Sequence, residues 1–167
     1  MKNTQSKHGG ANVRVPPPVI FLVGILAGAL LNRFVHAFPV PTGETVRVVT
    51  AAGAGLAGLA VIFSAQVLFR RTGQDPRPWK PTPELVERGP YRCSRNPIYL
   101  AMVLVQCSVG LALDDFWIVI LSLPALLGVH FTAVLPEERY LLASFGESYA
   151  GYMARVPRYL GWPRGRS

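Results

Sequence analysis

Two polar stretches of this chain hold residues whose types and spacing suit ligand chemistry. The first reads Glu87-Arg88-Gly89-Pro90-Tyr91-Arg92-Cys93-Ser94-Arg95-Asn96-Pro97-Ile98-Tyr99-Leu100. Gly89-Pro90 reads as a turn, and Pro97 suits the first turn of a helix. Arg95, Asn96 and Tyr99 then gather at the mouth of that helix, where unpaired N–H groups and the positive dipole end favour an anionic group. The second stretch opens Leu135-Pro136-Glu137-Glu138-Arg139-Tyr140-Leu141-Leu142. It continues through Phe145-Gly146-Glu147-Ser148-Tyr149 to Tyr152, Arg155, Pro157 and Arg158. Adjacent acids at a membrane boundary are costly to bury and suit a cation or polar ligand. Taken alone, Glu137 and Glu138 read better as helix-start acids behind Pro136.

The elements that must position these residues are apolar. About 20 helical residues cross a bilayer core of about 30 Å. Four runs reach or approach that length: Val19 to Phe38, Val48 to Phe69, Ile98 to Leu113, and Phe116 to Leu135 with Pro124 inside. The third is short. Asp114-Asp115 makes a tight polar turn, so the last two runs form a hairpin. Leu141, Leu142, Phe145, Tyr149 and Tyr152 recur at three and four, which predicts an amphipathic helix after the fourth span. The expected fold is all-α: a polytopic bundle of four transmembrane helices plus a C-terminal amphipathic cytoplasmic helix. Residues 1–15 are expected to be a disordered cytoplasmic N-terminus, and 16–167 a single membrane domain. Its cytoplasmic segments would be 70–97 and 136–167.

Composition agrees. Half of the 167 residues are hydrophobic and 16% are charged, against about 25% charged in soluble domains. That excludes an ordinary soluble domain and a disordered chain. The first apolar run is longer than a secretory signal and ends in Asn32, Arg33 and His36, so it reads as a retained membrane helix. The net charge of +8 is an orientation signal. With the N-terminus inside, fifteen of the seventeen Lys and Arg residues lie on the cytoplasmic side, with only Arg33 and Arg47 outside. Positive-inside counting places both termini in the cytoplasm, and in the plasma membrane for a prokaryotic source. No nucleic-acid partner is required. The outer loop, Pro39 to Arg47, is short, so chemistry belongs on the cytoplasmic face.

Other motifs have structural readings. Gly53-Ala54-Gly55-Leu56-Ala57-Gly58 matches G-x-G-x-x-G, but inside an apolar run, where small residues serve helix packing. Gly24 and Gly28 read the same way. Arg33 and His36 can snorkel to the outer surface, and His8 falls in the N-terminal tail. Cys93 and Cys107 read as free thiols, with no metal spacing. His130, near the cytoplasmic end of the fourth run, is either a pocket residue or an interfacial histidine bonded to a carbonyl.

Gly89-Pro90-Tyr91-Arg92, Arg95-Asn96-Pro97-x-Tyr99-Leu100, a hydrophobic hairpin, Glu137-Glu138-x-x-Leu141, Phe145-Gly146-x-x-Tyr149 and Tyr152-x-x-x-Val156-Pro157-Arg158 together resemble a known pattern. It is that of the isoprenylcysteine carboxyl methyltransferase and phospholipid methyltransferase family, from Glu87 to about Arg158. The resemblance implies a membrane methyltransferase using S-adenosylmethionine, with a cofactor pocket built from C-terminal helices and cytoplasmic segments. It implies that Arg95, Asn96, Pro97, Tyr99, Leu100, Glu137 and Glu138 line the cofactor, and that Tyr149, Tyr152 and Arg155 close the pocket from the tail helix. His130 is a further cofactor-binding candidate, and Arg95, Glu138 and Arg155 are the candidate catalytic residues. Asn96 stands where the eukaryotic carboxyl methyltransferases have histidine, and asparagine cannot titrate.

That cofactor's methionine end is a zwitterion. Glu137 or Glu138 would take its ammonium, and Arg95 or Arg155 its carboxylate. Tyrosine faces at Tyr99, Tyr149 or Tyr152 suit its sulfonium. The expected acceptor is lipophilic or small and membrane-permeable: a carboxylate, amine, phenol or thiol. Two further readings stand beside this one. One is a membrane reductase related to sterol reductases and using a nicotinamide cofactor, for which the chain is short. The other is a non-catalytic membrane subunit or transporter, which would need the helices but not the polar motifs.

Overall fold

The computed structural model describes residues 15–71 and 84–161, together with 11, 13, 73 and 80. Most of the N-terminal tail, including His8, lies outside the described residues, as do much of 72–83 and all of 162–167. Among the described residues the chain is helical and has no strand. Helix α1 is Pro17–Phe34, α2 is Glu44–Arg71 and α3 is Pro97–Ala112. A continuous run then carries α4 (Phe116–Ile120), α5 (Ser122–Val129), a π turn (His130–Val134) and α6 (Leu135–Phe145), and α7 is Glu147–Arg155.

Three of these are long and apolar enough to cross a membrane: Pro17–Phe34, Glu44–Arg71 and the run Phe116–Phe145. The fourth expected span, α3, is apolar but only 16 residues long, about 24 Å. Bare apolar stripes mark the outward faces. On α1, Val19, Leu22, Val23, Leu26 and Leu30 are exposed, and on the last run Leu123, Leu127 and Phe131. Stripes of that kind on soluble proteins are covered by partners. Here their periodicity along membrane-length helices makes them lipid-facing.

Two expected boundaries move. The first span was expected to reach Phe38, but α1 stops at Phe34. The Asn32 side chain accepts the Phe38 N–H at 2.8 Å and turns the chain back. Phe38 then packs edge-on against Phe116 and Trp117. The second boundary is the start of the amphipathic helix, which the sequence places after Leu135. The helical path instead runs through it. Pro136 has no N–H for the carbonyl of Thr132, and its ring would crowd that carbonyl in a regular α turn. The wider π turn accommodates this, with Leu135 N–H bonding to His130 O. The break comes ten residues later at Gly146, with φ +52° and ψ −123°, a conformation that favours glycine. The single expected tail helix is therefore two, α6 and α7.

Small residues bring the helices close, as their spacing suggested. A Cβ at Gly28 would stand 2.6 Å from Ile118 Cγ1 and 2.7 Å from Ile118 N, so α1 crosses α4 nearly backbone to backbone. Gly58 faces Ala101 O in the same way, and Gly55 faces Ser108, joining α2 to α3. Gly24 makes room for Gln106, which is fully buried and donates to Ile118 O at 3.0 Å. Gly53 differs, because a Cβ there meets nothing within 4 Å.

The far ends of the helices are locked together. Asp115 caps α4 by accepting from Ile118 N, and Asp114 takes a positive φ of 55° in the hairpin turn. Arg47 donates to the Leu111 and Ala112 carbonyls at the end of α3 and approaches Asp114 at 3.5 Å. Trp117 Nε1 donates to His36 O, and Arg33 stacks over Phe34. Cys93 and Cys107 are free thiols.

Candidate functional site

The opposite ends of the same helices hold the polar cluster. Gly89, at φ +57°, admits the chain to a 3-10 turn at Gly89–Arg92. Ser94 to Asn96 then leads through a bend into α3, whose N1 residue is Pro97 as expected. Asn96 N–H bonds to Ser94 Oγ. After α7, residues Val156 to Tyr159 return across this loop as a strap. Arg95 N–H donates to Pro157 O at 2.9 Å, and Arg95 Nε to Val156 O at 3.0 Å. Ser94 Oγ and Asn96 Nδ2 both donate to Arg158 O. The Asn96 side chain is thus a structural donor to the strap.

Two neighbouring carboxylates on the first turn of α6 meet different partners. Glu138, with a side chain 10% exposed, receives Arg95 Nη1 at 2.7 Å. It also receives Arg158 through two parallel bonds, Nε to Oε1 at 2.9 Å and Nη2 to Oε2 at 2.7 Å. Arg95 is buried at 8% exposure and Arg158 is outermost at 38%. The hydrogen bonds it donates to Glu138 hold the Arg158 guanidinium above its ordinary pKa. Glu137 accepts from the Tyr99 hydroxyl, and no salt bridge to it forms among the described residues. A carboxylate bridged by two guanidiniums beside one held by a phenol is a division of roles that residue type alone does not reveal.

Aromatic side chains close the cluster from α7. Tyr149 and Tyr152 are buried, with ring centroids 5.9 Å apart. Burial and the nearby Glu138 raise the Tyr149 phenol above its ordinary range, and the neighbouring Arg95 guanidinium pulls it back. Tyr152 donates to Tyr91 O at 2.7 Å, and desolvation, then Tyr149, push its phenol up. Tyr91 packs edge-on against Phe69 at the end of α2. Its phenol is raised by desolvation first and then by the charge of Glu137. His130 Nδ1 pairs with the Tyr159 hydroxyl at 2.8 Å, so its partner is a side chain of the strap and not a main-chain carbonyl.

The fold therefore gathers Arg95, Asn96, Tyr99, Glu137, Glu138 and Tyr149, with His130 joined through Tyr159. Pro97 and Leu100 frame the start of α3. Arg155 stands apart: it pairs with Glu87 at 2.8 Å, both side chains about one-third exposed. Its ion pair ties α7 to the loop ahead of the 3-10 turn. Arg158, Tyr159 and Tyr91 also join this cluster, although residue type and spacing did not single them out. Arg158 and Tyr91 lay inside the quoted motifs, but nothing local shows that the strap folds back over Ser94 to Asn96.

Residues 48–148 match the family model described as phospholipid methyltransferase. The chain belongs to that family. The matched region runs from α2 into α7 and includes Arg95, Tyr99, Glu137 and Glu138. Together with the three spanning helices it makes this an integral membrane protein of a methyltransferase family. No curated protein matches the chain.

Proposed function

We propose that this member of the phospholipid methyltransferase family transfers a methyl group from S-adenosylmethionine to a lipophilic or small membrane-permeable acceptor. The acceptor class is a carboxylate, amine, phenol or thiol, and the reaction takes place at the cytoplasmic ends of the helices. The observation that supports it is the pair Glu137–Glu138. The family match covers two adjacent acids, one saturated by guanidinium and one engaged only with phenol chemistry, under a lid of tyrosines.

The donor set suits the cofactor. Glu137 offers a carboxylate to an ammonium. The N-terminus of α3 offers positive potential to a carboxylate. The faces of Tyr99, Tyr149 and Tyr152 suit a sulfonium. When bound, S-adenosylmethionine supplies the electrophilic methyl group. The protein's own task is alignment and exclusion of water, which carry most of the rate for an in-line displacement. Arg95 and Glu138 hold loop, strap and α6 in one arrangement. Arg155, paired with Glu87, secures α7 from the rim.

In this reading α3 is a fourth, short span, and both termini face the cytoplasm with most of the Lys and Arg residues. A reporter fused at Ser167 would read out inside, and an outside signal would reverse the orientation. The deciding experiment supplies the purified protein in lipid nanodiscs with methyl-labelled S-adenosylmethionine. Membrane lipids, small thiols, amines, phenols and carboxylates are offered as acceptors. Label transfer that disappears in Glu137→Ala is the expected result. Absence of S-adenosylmethionine binding to the parent protein would overturn the proposal.

A further inference from the structure

The strap Val156 to Tyr159 lies beyond residue 148, where the family match ends, yet it bonds to the Ser94–Asn96 loop, to Glu138 and to His130. Most of its contacts use its own main chain. The carbonyls of Val156, Pro157 and Arg158 accept from Arg95, Ser94 and Asn96. Main-chain acceptors of that kind would be offered by almost any sequence. The side chain that ties the strap to α6 is Arg158. Its Nε and Nη2 meet both oxygens of Glu138 in the fork geometry a guanidinium alone provides. Glu138 in turn fixes Arg95 Nη1 at 2.7 Å, and the Arg95 guanidinium lies near enough to the Tyr149 phenol to draw its pKa down. A single bidentate contact therefore orders a chain of groups from the strap to the aromatic lid.

We infer that Arg158 is a positioning residue. By clamping Glu138 it latches the strap over the Ser94–Asn96 loop and sets Arg95 and Tyr149 in the arrangement that binds the cofactor. The inference rests on the methyltransferase reading above and deepens it. Without Arg158, Glu138 still has Arg95, so the buried acid keeps one cation and the fold is retained. The orientation of the pair is lost, because nothing then fixes the second carboxylate oxygen.

The test uses the full chain in nanodiscs, as parent, Arg158→Ala and Arg158→Lys. Amide hydrogen exchange is read at Arg95, whose N–H is held by Pro157 O. KM for S-adenosylmethionine is read separately from kcat. In Arg158→Ala, exchange at Arg95 is expected to quicken at least about tenfold, and KM to rise on the order of 10- to 100-fold, the scale of a small misplacement. The loss is carried by KM more than by kcat. Arg158→Lys keeps the charge but not the fork, and its KM is expected to stay nearer the Ala variant than the parent. Unchanged exchange in Arg158→Ala overturns the latch. Faster exchange with parental KM overturns the positioning role, and full rescue by Lys overturns the bidentate basis. A parent that binds no S-adenosylmethionine overturns the methyltransferase reading together with this one. A binding parent matched by Arg158→Ala overturns this inference alone.

Discussion

Tyr99 and Glu137, 38 residues apart in sequence, meet hydroxyl to carboxylate where α3 and α6 face each other. Tyr99 belongs to the same buried cluster as Phe21, Val129, Ala133 and Val134, so its hydroxyl is delivered by packing. Tyr99→Phe keeps the packing and removes the donor. It is expected to destabilise the protein by about 1.5–3 kcal/mol, the worth of a hydrogen bond to a charged, half-buried acceptor. Glu137→Gln keeps the acceptor but removes the charge. Its expected effect falls on S-adenosylmethionine affinity, weakened roughly 10- to 100-fold, as for a lost charge-assisted bond. Thermal unfolding of the first and titration calorimetry of the second separate the two roles. Equal affinity in parent and Glu137→Gln would remove Glu137 from the site.

Helix packing supplies a second prediction, because the glycines divide sharply. Gly28→Ala forces a methyl against the Ile118 backbone, and overpacking of that kind costs about 1–3 kcal/mol. Gly53→Ala places its methyl in open space on the lipid side and gains helix propensity of up to about 1 kcal/mol. Unfolding midpoints in one detergent are expected to fall for the first and hold or rise for the second. Similar midpoints would mean that α1 does not cross α4 as closely as the structure shows.

The glycine division shows what the sequence carried and what it did not. Apolar run length located every long helix, and Asp114-Asp115 located the hairpin, because both signals are local. The small-residue motif in α2 correctly spoke for packing, but only Gly55 and Gly58 face a neighbour. Which residues of a helix face inward depends on where α3 lies. The end of α1 was missed by four residues because Asn32 reaches forward to Phe38. The candidate site was legible as a set of residue types near one membrane face. Its wiring was not. Glu137 and Glu138 are adjacent and chemically alike, and only the fold brings Arg95 from the loop and Arg158 from the returning strap to one of them and leaves the other to Tyr99. Arg155, which both charge and the family pattern favoured, pairs with Glu87, a contact 68 residues away that no local signal gives.

The far end of the bundle gives a prediction of the opposite kind. Asp114 accepts from Val40 N at 3.0 Å, approaches Arg47 at 3.5 Å and holds a positive φ. Asp114→Ala loses both partners and puts a Cβ residue without a compensating side-chain bond in left-handed backbone, which disfavours it. A destabilisation of about 1–3 kcal/mol is expected. Asp114→Asn keeps an acceptor and tolerates that conformation, so it is expected to lose less. Both lie one full length of α3 from Arg95, about 24 Å, and neither should alter S-adenosylmethionine affinity. A change in affinity would couple the two ends of the helices.

Alkaline stability tests the aromatic lid. The Tyr91 and Tyr152 phenols are raised from 10.0 in the folded protein, mainly by desolvation. An unfolded tyrosine ionises near pH 10, while the folded one keeps its proton to higher pH. Below pH 10 both states hold the proton and the full stability is present. As pH rises above 10, the unfolded state gives up protons that the folded state retains, and stability falls by about 1.4 kcal/mol per pH unit for each such phenol. Unfolding midpoints are therefore expected to be flat in this respect from pH 7 to 9 and to decline beyond 10. Tyr91→Phe removes one of these protons and should make that decline shallower, while its midpoint near neutral pH changes little because the ring contact with Phe69 remains. An alkaline limb with the same slope in parent and Tyr91→Phe would show that Tyr91 is solvated in the folded state, and the lid would then be open at the loop side.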